Sequence, residues 1–186
     1  MTGRLTRRML VAALPLASWA SSNPALYTLE IPAGELRRSG PRVVELRSVG
    51  LARYLERSQI VLSSENYRVD VLPNDWWAEP LDAMIGRVLA RALTQRMPGS
   101  TVFVENGAIS AEPDATVQIN VQRLDQDASR AVRLIAQFSV VRRAADTRAV
   151  TITVPTNGQA TADLVAAMSA ALGQLADRIA TALTGG

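Results

Sequence analysis

The stretch Ala115-Thr116-Val117-Gln118-Ile119-Asn120-Val121-Gln122-Arg123-Leu124 alternates apolar with polar residues, and Ala131 to Arg142 repeats this alternation after a short polar loop. A period of two is typical of β-strands with one buried face. The loop at Asp125 to Ser129 is short enough for a hairpin. A further alternating run, Ala149 to Val154, follows a second short connection at Arg142 to Arg148. These runs predict antiparallel strands joined by hairpins.

Upstream of these strands, apolar residues at three- and four-residue spacing predict an amphipathic helix that begins after Asn74 or Asp75 and extends to about Met97. Its apolar positions are Leu81, Ile85, Val88, Leu89, Ala92 and Leu93. We expect Asn74 or Asp75 to cap this helix, because their side chains can accept hydrogen bonds from its free amides. Glu79 is expected in the first turn, where a carboxylate is favoured by the helix dipole.

A second helix is predicted at the end of the chain, with Thr161 as its cap. Its apolar stripe is Leu164, Met168, Leu172, Leu175, Ile179 and Leu183. Short strands are predicted before the first helix, at Leu26 to Ile31, Arg42 to Val49, Gln59 to Ser63 and Tyr67 to Leu72. This order predicts an α+β fold, a mixed and largely antiparallel sheet with two main amphipathic helices packed on one face. We interpret the second stripe as core packing, with binding of a partner helix or lipid as the alternative.

The composition restricts the chemistry. The chain has 186 residues and contains neither histidine nor cysteine. Structural zinc and most transition-metal sites need imidazole or thiolate ligands. Triads built on histidine are excluded for the same reason. A carboxylate pair or an all-oxygen calcium site stays open, but the sequence has no Asp-rich ligand loop. We expect no enzyme activity, no metal and no cofactor.

The first twenty residues have the layout of an export signal. Arg4, Arg7 and Arg8 precede an apolar run from Met9 to Ala17, and small residues follow it. We interpret residues 1–20 as a signal peptide of the Sec or Tat-like type, followed by a single domain over residues 21–186. Outside this signal, arginines and acidic residues balance at 17 each, so we expect no nucleic-acid binding.

Two other segments have an unusual make-up. They are Tyr54-Leu55-Glu56-Arg57-Ser58-Gln59-Ile60-Val61 and Trp76-Trp77-Ala78-Glu79-Pro80-Leu81. Both combine aromatic and charged residues, neither places a nucleophile beside a base, and Trp is enriched at binding hot spots. We interpret them as a protein-contact region. The candidate docking residues are Tyr54, Glu56, Arg57, Gln59 and Trp76.

A purely structural interpretation stays open for these segments. Glu56 and Arg57 would then form a local salt bridge, and Gln59 would pair with the backbone. Trp77 would fill the core between sheet and helix, which is the common fate of Trp in an aromatic-poor chain. Glu79 has no second carboxylate at a spacing that indicates acid–base catalysis.

Four motifs follow one another along the chain: Tyr27-Thr28-Leu29, the Tyr54 to Val61 segment, Trp77-Ala78-Glu79-Pro80-Leu81 and Pro113-Asp114 before a long strand. Together they resemble the PqiC-like family of ABC-type transport auxiliary lipoproteins. The resemblance covers nearly the whole chain after the signal. It implies a non-enzymatic periplasmic α+β domain. Its signature positions are Tyr27, Trp77, Glu79 and Pro80.

The resemblance also implies partners. The family assists intermembrane lipid transport, in which an MCE-domain protein bridges the two membranes and an ABC permease and ATPase work with it. We expect docking on such a protein or self-association into a ring, in the periplasm and peripheral to the outer membrane. The alternatives are a carrier of lipid or another small hydrophobic ligand, or an envelope assembly factor without a transport role.

The sequence departs from the family at the lipid anchor. Leu16-Ala17-Ser18 resembles a lipobox, but Trp19 stands where the family has the acylated cysteine. Without a thiol, this sequence offers no residue for covalent lipid anchoring. We therefore expect either a periplasmic protein without an anchor or one that its protein partner holds at the membrane.

Overall fold

The computed structural model describes residues 23–37, 40–105 and 111–185, so the predicted signal at residues 1–20 lies outside the described residues. The strands are β1 Ala25–Tyr27, β2 Val43–Leu46, β3 Gly50–Leu51, β4 Gln59–Ser63, β5 Asp70–Trp77, β6 Thr101–Val104, β7 Ala115–Gln126, β8 Ala131–Val141 and β9 Ala145–Pro155. The helices are α1 Leu81–Arg96 and α2 Thr161–Thr184, with a 3-10 turn at Arg53–Leu55. Five strands therefore precede α1 and four follow it in the described chain.

β7, β8 and β9 form the antiparallel part of the sheet that the alternation predicts. The turn between β7 and β8 is held by Asp127, whose Oδ1 accepts hydrogen bonds from the Ser129 hydroxyl (2.6 Å) and from the amides of Ser129 and Ala131. The Ser129 hydroxyl is the main reason that the pKa of Asp127 lies below its ordinary value. Both connections are shorter than predicted, since β7 runs to Gln126 and β9 begins at Ala145.

The other edge of β7 is shared by three short parallel strands in succession. β2 pairs with the start of β7, β3 with Asn120 and Val121, and β4 with its end at Gln126. β2 is continued outward by β6, and β4 by β5 and then β1. The long ladders are antiparallel and the short ones mostly parallel, so the predicted mixed, largely antiparallel sheet is confirmed.

Both helices contribute to one buried apolar cluster with the sheet. α2 lies across β7, β8 and β9, while α1 packs beside α2 and against β6. The predicted stripe of α2 is buried along its whole length, as are the alternating apolar residues of β7 and β8. Core packing, the expected role of this stripe, accounts for its burial. The α+β class is confirmed.

The segment between β4 and α1 differs from the prediction. Asn66 and Tyr67 have left-handed backbone conformations (φ 54° and 62°), so they form a turn and the strand begins only at Asp70. β5 then continues through Pro73-Asn74-Asp75, where a break was expected. It stays extended because β1 pairs with Asp75 to Trp77 on one side and β4 pairs with Trp76 on the other.

The start of α1 is corrected accordingly. The helix begins at Leu81, and Pro80 occupies the N-cap position in an extended conformation. Asn74 and Asp75 therefore lie too far upstream to cap it. Glu79 precedes the helix and does not belong to its first turn, where Asp82 lies instead.

The cap predicted for α2 is also wrong. Ala160 is the N-cap residue, and its amide donates to the Asp163 carboxylate (3.0 Å). The hydroxyl of Thr161 donates to Asp75 Oδ2 (3.0 Å), so this residue joins α2 to β5.

The first strand is shorter than predicted. β1 ends at Tyr27, and the chain then crosses α1, where the Leu29 amide lies 3.2 Å from the sulfur of Met84. Leu29 is buried by this crossing. Among the described residues, no helix has both the length and the apolar character needed to cross a membrane.

Candidate docking cleft

The two unusual sequence segments meet at one cleft of about 730 Å³. Residues 49–51, 56–58 and 77–82 line it. The backbone joins the segments directly, because the Trp77 amide donates to the Ser58 carbonyl (2.7 Å). Beside this bond the Ala78 amide donates to the Tyr27 carbonyl (2.9 Å), which connects a third motif to the same place. Three of the four family motifs are thus adjacent in space.

Five of the residues singled out in the sequence line this cleft. They are Glu56, Arg57, Trp77, Glu79 and Pro80. The Trp77 indole is only 6% exposed and belongs to the apolar core, so it forms a wall and not an exposed anchor. Glu56 and Arg57 are exposed at the rim.

The other four lie beside the cleft. Gln59 and Trp76 face each other across the β4–β5 pairing, and the Trp76 Nε1 donates to the Pro73 carbonyl (3.1 Å). Tyr27 and Tyr54 are half-buried and pack against the core. These four residues therefore lie next to the cleft but do not line it.

The expected salt bridge between Glu56 and Arg57 is not among the ion pairs of the described residues. Instead the Arg57 Nε donates to the Tyr54 carbonyl (2.7 Å), which ties the rim to the 3-10 turn. Glu79 pairs with Arg87 in the second turn of α1. Asp82 is exposed in the first turn of α1 and makes no ion pair with a described residue.

A polar cluster around one buried carboxylate lies next to the cleft. We call it the buried cluster; its members are Tyr54, Ser64, Glu65, Arg123 and Asp125. Asp125 is fully buried, and its carboxylate accepts from the Tyr54 hydroxyl (2.8 Å), the Ser64 hydroxyl (2.7 Å) and Arg123 Nε (2.9 Å). The second branch of the Arg123 guanidinium pairs with Glu65 (2.5 Å). Burial of a carboxylate is tolerated only when such partners satisfy it. The cluster therefore holds the 3-10 turn, and with it Glu56 and Arg57, on the end of β7.

Sequence reasoning missed this cluster because it placed Asp125 in an exposed hairpin loop. The ladder between β7 and β8 shifts register between Val121 and Arg123. The shift puts Leu124 on the helix-covered face with Leu134, so Asp125 faces the other side, under Tyr54. Val117, Ile119 and Val121 are apolar at alternate positions, and Arg123 at the next such position is polar. This interruption of the alternation is the local signal of the bulge.

The described residues of the cleft present a small set of functional groups. No group of three carboxylates in the described residues is arranged to hold a metal ion. The functional groups of the cleft are the Trp77 indole, the carboxylates of Glu56 and Asp82, which make no ion pair with a described residue, the Arg57 guanidinium and exposed backbone. This inventory suits contact with another molecule.

The chain from residue 27 to residue 180 matches the family described as ABC-type transport auxiliary lipoprotein component. This match covers most of the protein, including all residues of the cleft. The chain belongs to this family. The recognition made from the four motifs is confirmed, and with it the assignment to an auxiliary component of ABC-type transport.

Solved structures of low sequence identity share the fold of this auxiliary component. A crystal structure of an uncharacterized protein matches with a TM-score of 0.74 at 17% identity, covering 87% of this chain and 99% of the other. Protein XCC0632 from Xanthomonas campestris, of the DUF330 family, matches with a TM-score of 0.71 at 19% identity, covering 87% and 96%. No curated protein matches the sequence.

The buried cluster predicts a loss of stability at high pH. Burial, together with the hydrogen bond to the Asp125 carboxylate, raises the pKa of Tyr54 from 10.0 to about 12. Folding thus favours the protonated phenol, so this stabilisation is complete below pH 10 and is lost as the pH rises to 12. We expect about 2 kcal/mol of the free energy of unfolding to disappear over this interval.

Urea denaturation at pH 9 and pH 11.5 measures this loss, with Tyr54→Phe as the control. The chain has no lysine, so few other groups titrate in the same interval. The variant keeps Tyr27 and Tyr67, so any stability that it loses at high pH measures the contribution of those two tyrosines to the pH dependence. An equal loss of stability in Tyr54→Phe would show that Tyr54 is not its source.

Proposed function

We propose that this protein is a non-catalytic periplasmic accessory subunit of an MCE-linked ABC lipid-transport system and that it acts by docking on its partner through the cleft. Its membership of the auxiliary family supports the transport role. The convergence of Tyr27, Ser58 and Trp77 motifs on one cleft supports the docking role. The partners are an MCE-domain protein with its ABC permease and ATPase, and the role extends to outer-membrane integrity.

The observation that carries this proposal is the position of the family motifs. Residues of a purely structural signature would be expected to lie in the core, as Trp77 does. Glu56 and Arg57 instead lie exposed at a cleft rim, although a buried cluster holds their backbone in place. An exposed pair on a rigid support is what a binding surface requires.

The packing of the core favours docking over the lipid-carrier alternative. A carrier of acyl chains needs space between the sheet and its helices. There the side chains of α1, α2, β7 and β8 form one continuous buried cluster. The cleft lies elsewhere, at the entrance to α1 and beside β3.

The docking proposal is tested by co-purification from detergent extracts of the native host. We expect the tagged protein to retain an MCE-domain protein and a permease. The double variant Glu56→Arg with Arg57→Glu should reduce the retained amount at least tenfold, because exposed rim charges guide partner selection. Arg57→Glu also removes the bond from Arg57 Nε to the Tyr54 carbonyl, so urea denaturation of the variant is measured alongside to confirm that it is folded.

The matched control is Arg143→Glu, at the exposed turn between β8 and β9. It alters a charge of the same kind far from the cleft, and we expect retention equal to the wild type. Recovery of the protein with neither an MCE-domain protein nor a permease would contradict the transport role. Normal retention by the rim variant would contradict the docking site. Ring formation by self-association is a separate proposal, checked by the mass of the purified protein in light scattering.

A further inference from the structure

The cleft interrupts the sheet at one strand. β7 is bordered by β2, β3 and β4, and the first and last of these have a further strand on their outer side. β3 pairs with β7 alone. Its outer edge therefore faces the space between the ends of β6 and β5, and Gly50 and Leu51 line the cleft there.

The direction of the backbone in β3 follows from its register. Gly50 pairs with Asn120 and Leu51 with Val121, and the Ala52 amide donates to the Val121 carbonyl (2.9 Å). In a parallel ladder with this bond, the amide and carbonyl of Leu51 point away from β7. Neither group has a hydrogen-bond partner among the described residues. An unpaired donor and acceptor on a strand edge are a template for another strand.

The charges at the rim of the cleft restrict which charged side chain an added strand would have. Glu56 and Asp82 line the cleft and make no ion pair with any described residue. Arg57 donates to the neutral Tyr54 carbonyl and keeps its positive charge, and Glu79 pairs with Arg87, so the cleft lining, with three carboxylates and one guanidinium, is negative. The N-terminus of α1 would attract an anion, but Asp82 and Glu79 already occupy that end of the helix. The free charge therefore favours a basic side chain.

We infer that the partner inserts an extended segment into the cleft as an added strand, whose main chain pairs with Leu51 and whose Arg or Lys side chain lies beside Glu56 and Asp82. This inference rests on the proposed function, because it names the mode of docking at the same cleft. Strand addition derives its affinity from main-chain hydrogen bonds and its specificity from side chains at alternate positions.

The test is amide hydrogen exchange in the co-purified complex, compared with the free protein at residue resolution. In the free protein the Leu51 amide should exchange fast, whereas the Ala52 amide, bonded to Val121, should exchange slowly. Complex formation should slow the Leu51 amide at least tenfold and leave Ala52 slow. The neighbouring amide thus serves as an internal control.

A second readout uses the charges. Glu56→Arg combined with Asp82→Arg should weaken the complex at least tenfold, whereas Asp146→Arg on β9, an exposed aspartate distant from the cleft, should leave it intact. A partner that binds without slowing the Leu51 amide overturns strand addition and leaves the proposed function standing. Absence of any protein partner overturns both, as does a lipid found to be the ligand of the cleft.

Discussion

Replacing Asp125 by alanine should lower the free energy of unfolding by about 3 kcal/mol. The carboxylate is fully buried and accepts hydrogen bonds from the side chains of Tyr54, Ser64 and Arg123. Its removal leaves the Tyr54 and Ser64 hydroxyls and the Arg123 Nε without this acceptor in a partly buried region. The Arg123 side chain is only 15% exposed, so its charge gains little compensation from solvent. Arg123 keeps its ion pair with Glu65, so the cost comes from the three hydrogen bonds that Asp125 no longer accepts.

Thermal and urea denaturation measure this effect. For a chain of this size, 3 kcal/mol corresponds to a decrease in Tm of roughly 6–12 °C. Asp146→Ala is the matched control, because Asp146 also pairs with an arginine but is exposed, and its loss should cost less than about 1 kcal/mol. If Asp125→Ala were as stable as Asp146→Ala, the buried cluster would not support the rim.

The cluster also connects stability with the candidate docking rim. Tyr54 lies two residues before Glu56 of the rim, and its carbonyl accepts the hydrogen bond from Arg57. Tyr54→Phe keeps the ring and removes only the hydroxyl, so we expect a loss of about 1 kcal/mol. In a double-mutant cycle the effects of Tyr54→Phe and Asp125→Ala should not add, since both remove the same hydrogen bond.

Replacing Arg96 by alanine should cost about 3–4 kcal/mol of the free energy of unfolding. Arg96 is the last residue of α1 and is 1% exposed. Its Nε pairs with Asp177 of α2 (2.5 Å), and its terminal nitrogens donate to the carbonyls of Ala92, Gly173 and Pro32. One side chain thus joins both helices to the segment that follows β1. Its removal breaks these bonds and leaves a cavity.

The control for Arg96 lies on the same helix. Arg91 is exposed, and Arg91→Ala should change stability by less than about 0.5 kcal/mol. Asp177→Ala should also destabilise, because it leaves a buried guanidinium without its counter-charge. The double variant should cost less than the sum of the two single ones. Additive losses in denaturation experiments would show that Arg96 and Asp177 do not act as a pair.

The surroundings of Arg96 explain a glycine that the sequence alone leaves unexplained. A side chain at Gly34 would collide with the Arg96 guanidinium, so any other residue there would require Arg96 to shift from its present bonds. The passage is fixed by two further bonds, from the Gly34 amide to Gln95 Oε1 (2.9 Å) and from the Arg37 amide to the Arg96 carbonyl (2.6 Å).

Local patterns predicted the secondary structure best where the pattern was long. The alternation after Ala115 located three strands, and the helical spacing located both helices within a few residues. Prediction failed between Tyr67 and Leu81, where pairing with β1 and β4 holds the backbone extended against the local preference of Pro73-Asn74-Asp75. Partners distant in the chain decide such a segment, and its own residues carry little sign of them.

The sequence by itself determined the α+β class, the membership of the transport auxiliary family and the absence of histidine and thiol chemistry, because periodicity, motifs and composition are properties of the chain alone. Only the tertiary structure decided where the cleft lies and what supports it. The cleft forms because β3 and β4 both pair with one edge of β7 and β5 pairs with β4. These pairings bring together residues 49–51, 56–58 and 77–82. Asp125 is buried because a bulge turns it under Tyr54. Both facts depend on pairings between distant strands, which no local pattern encodes.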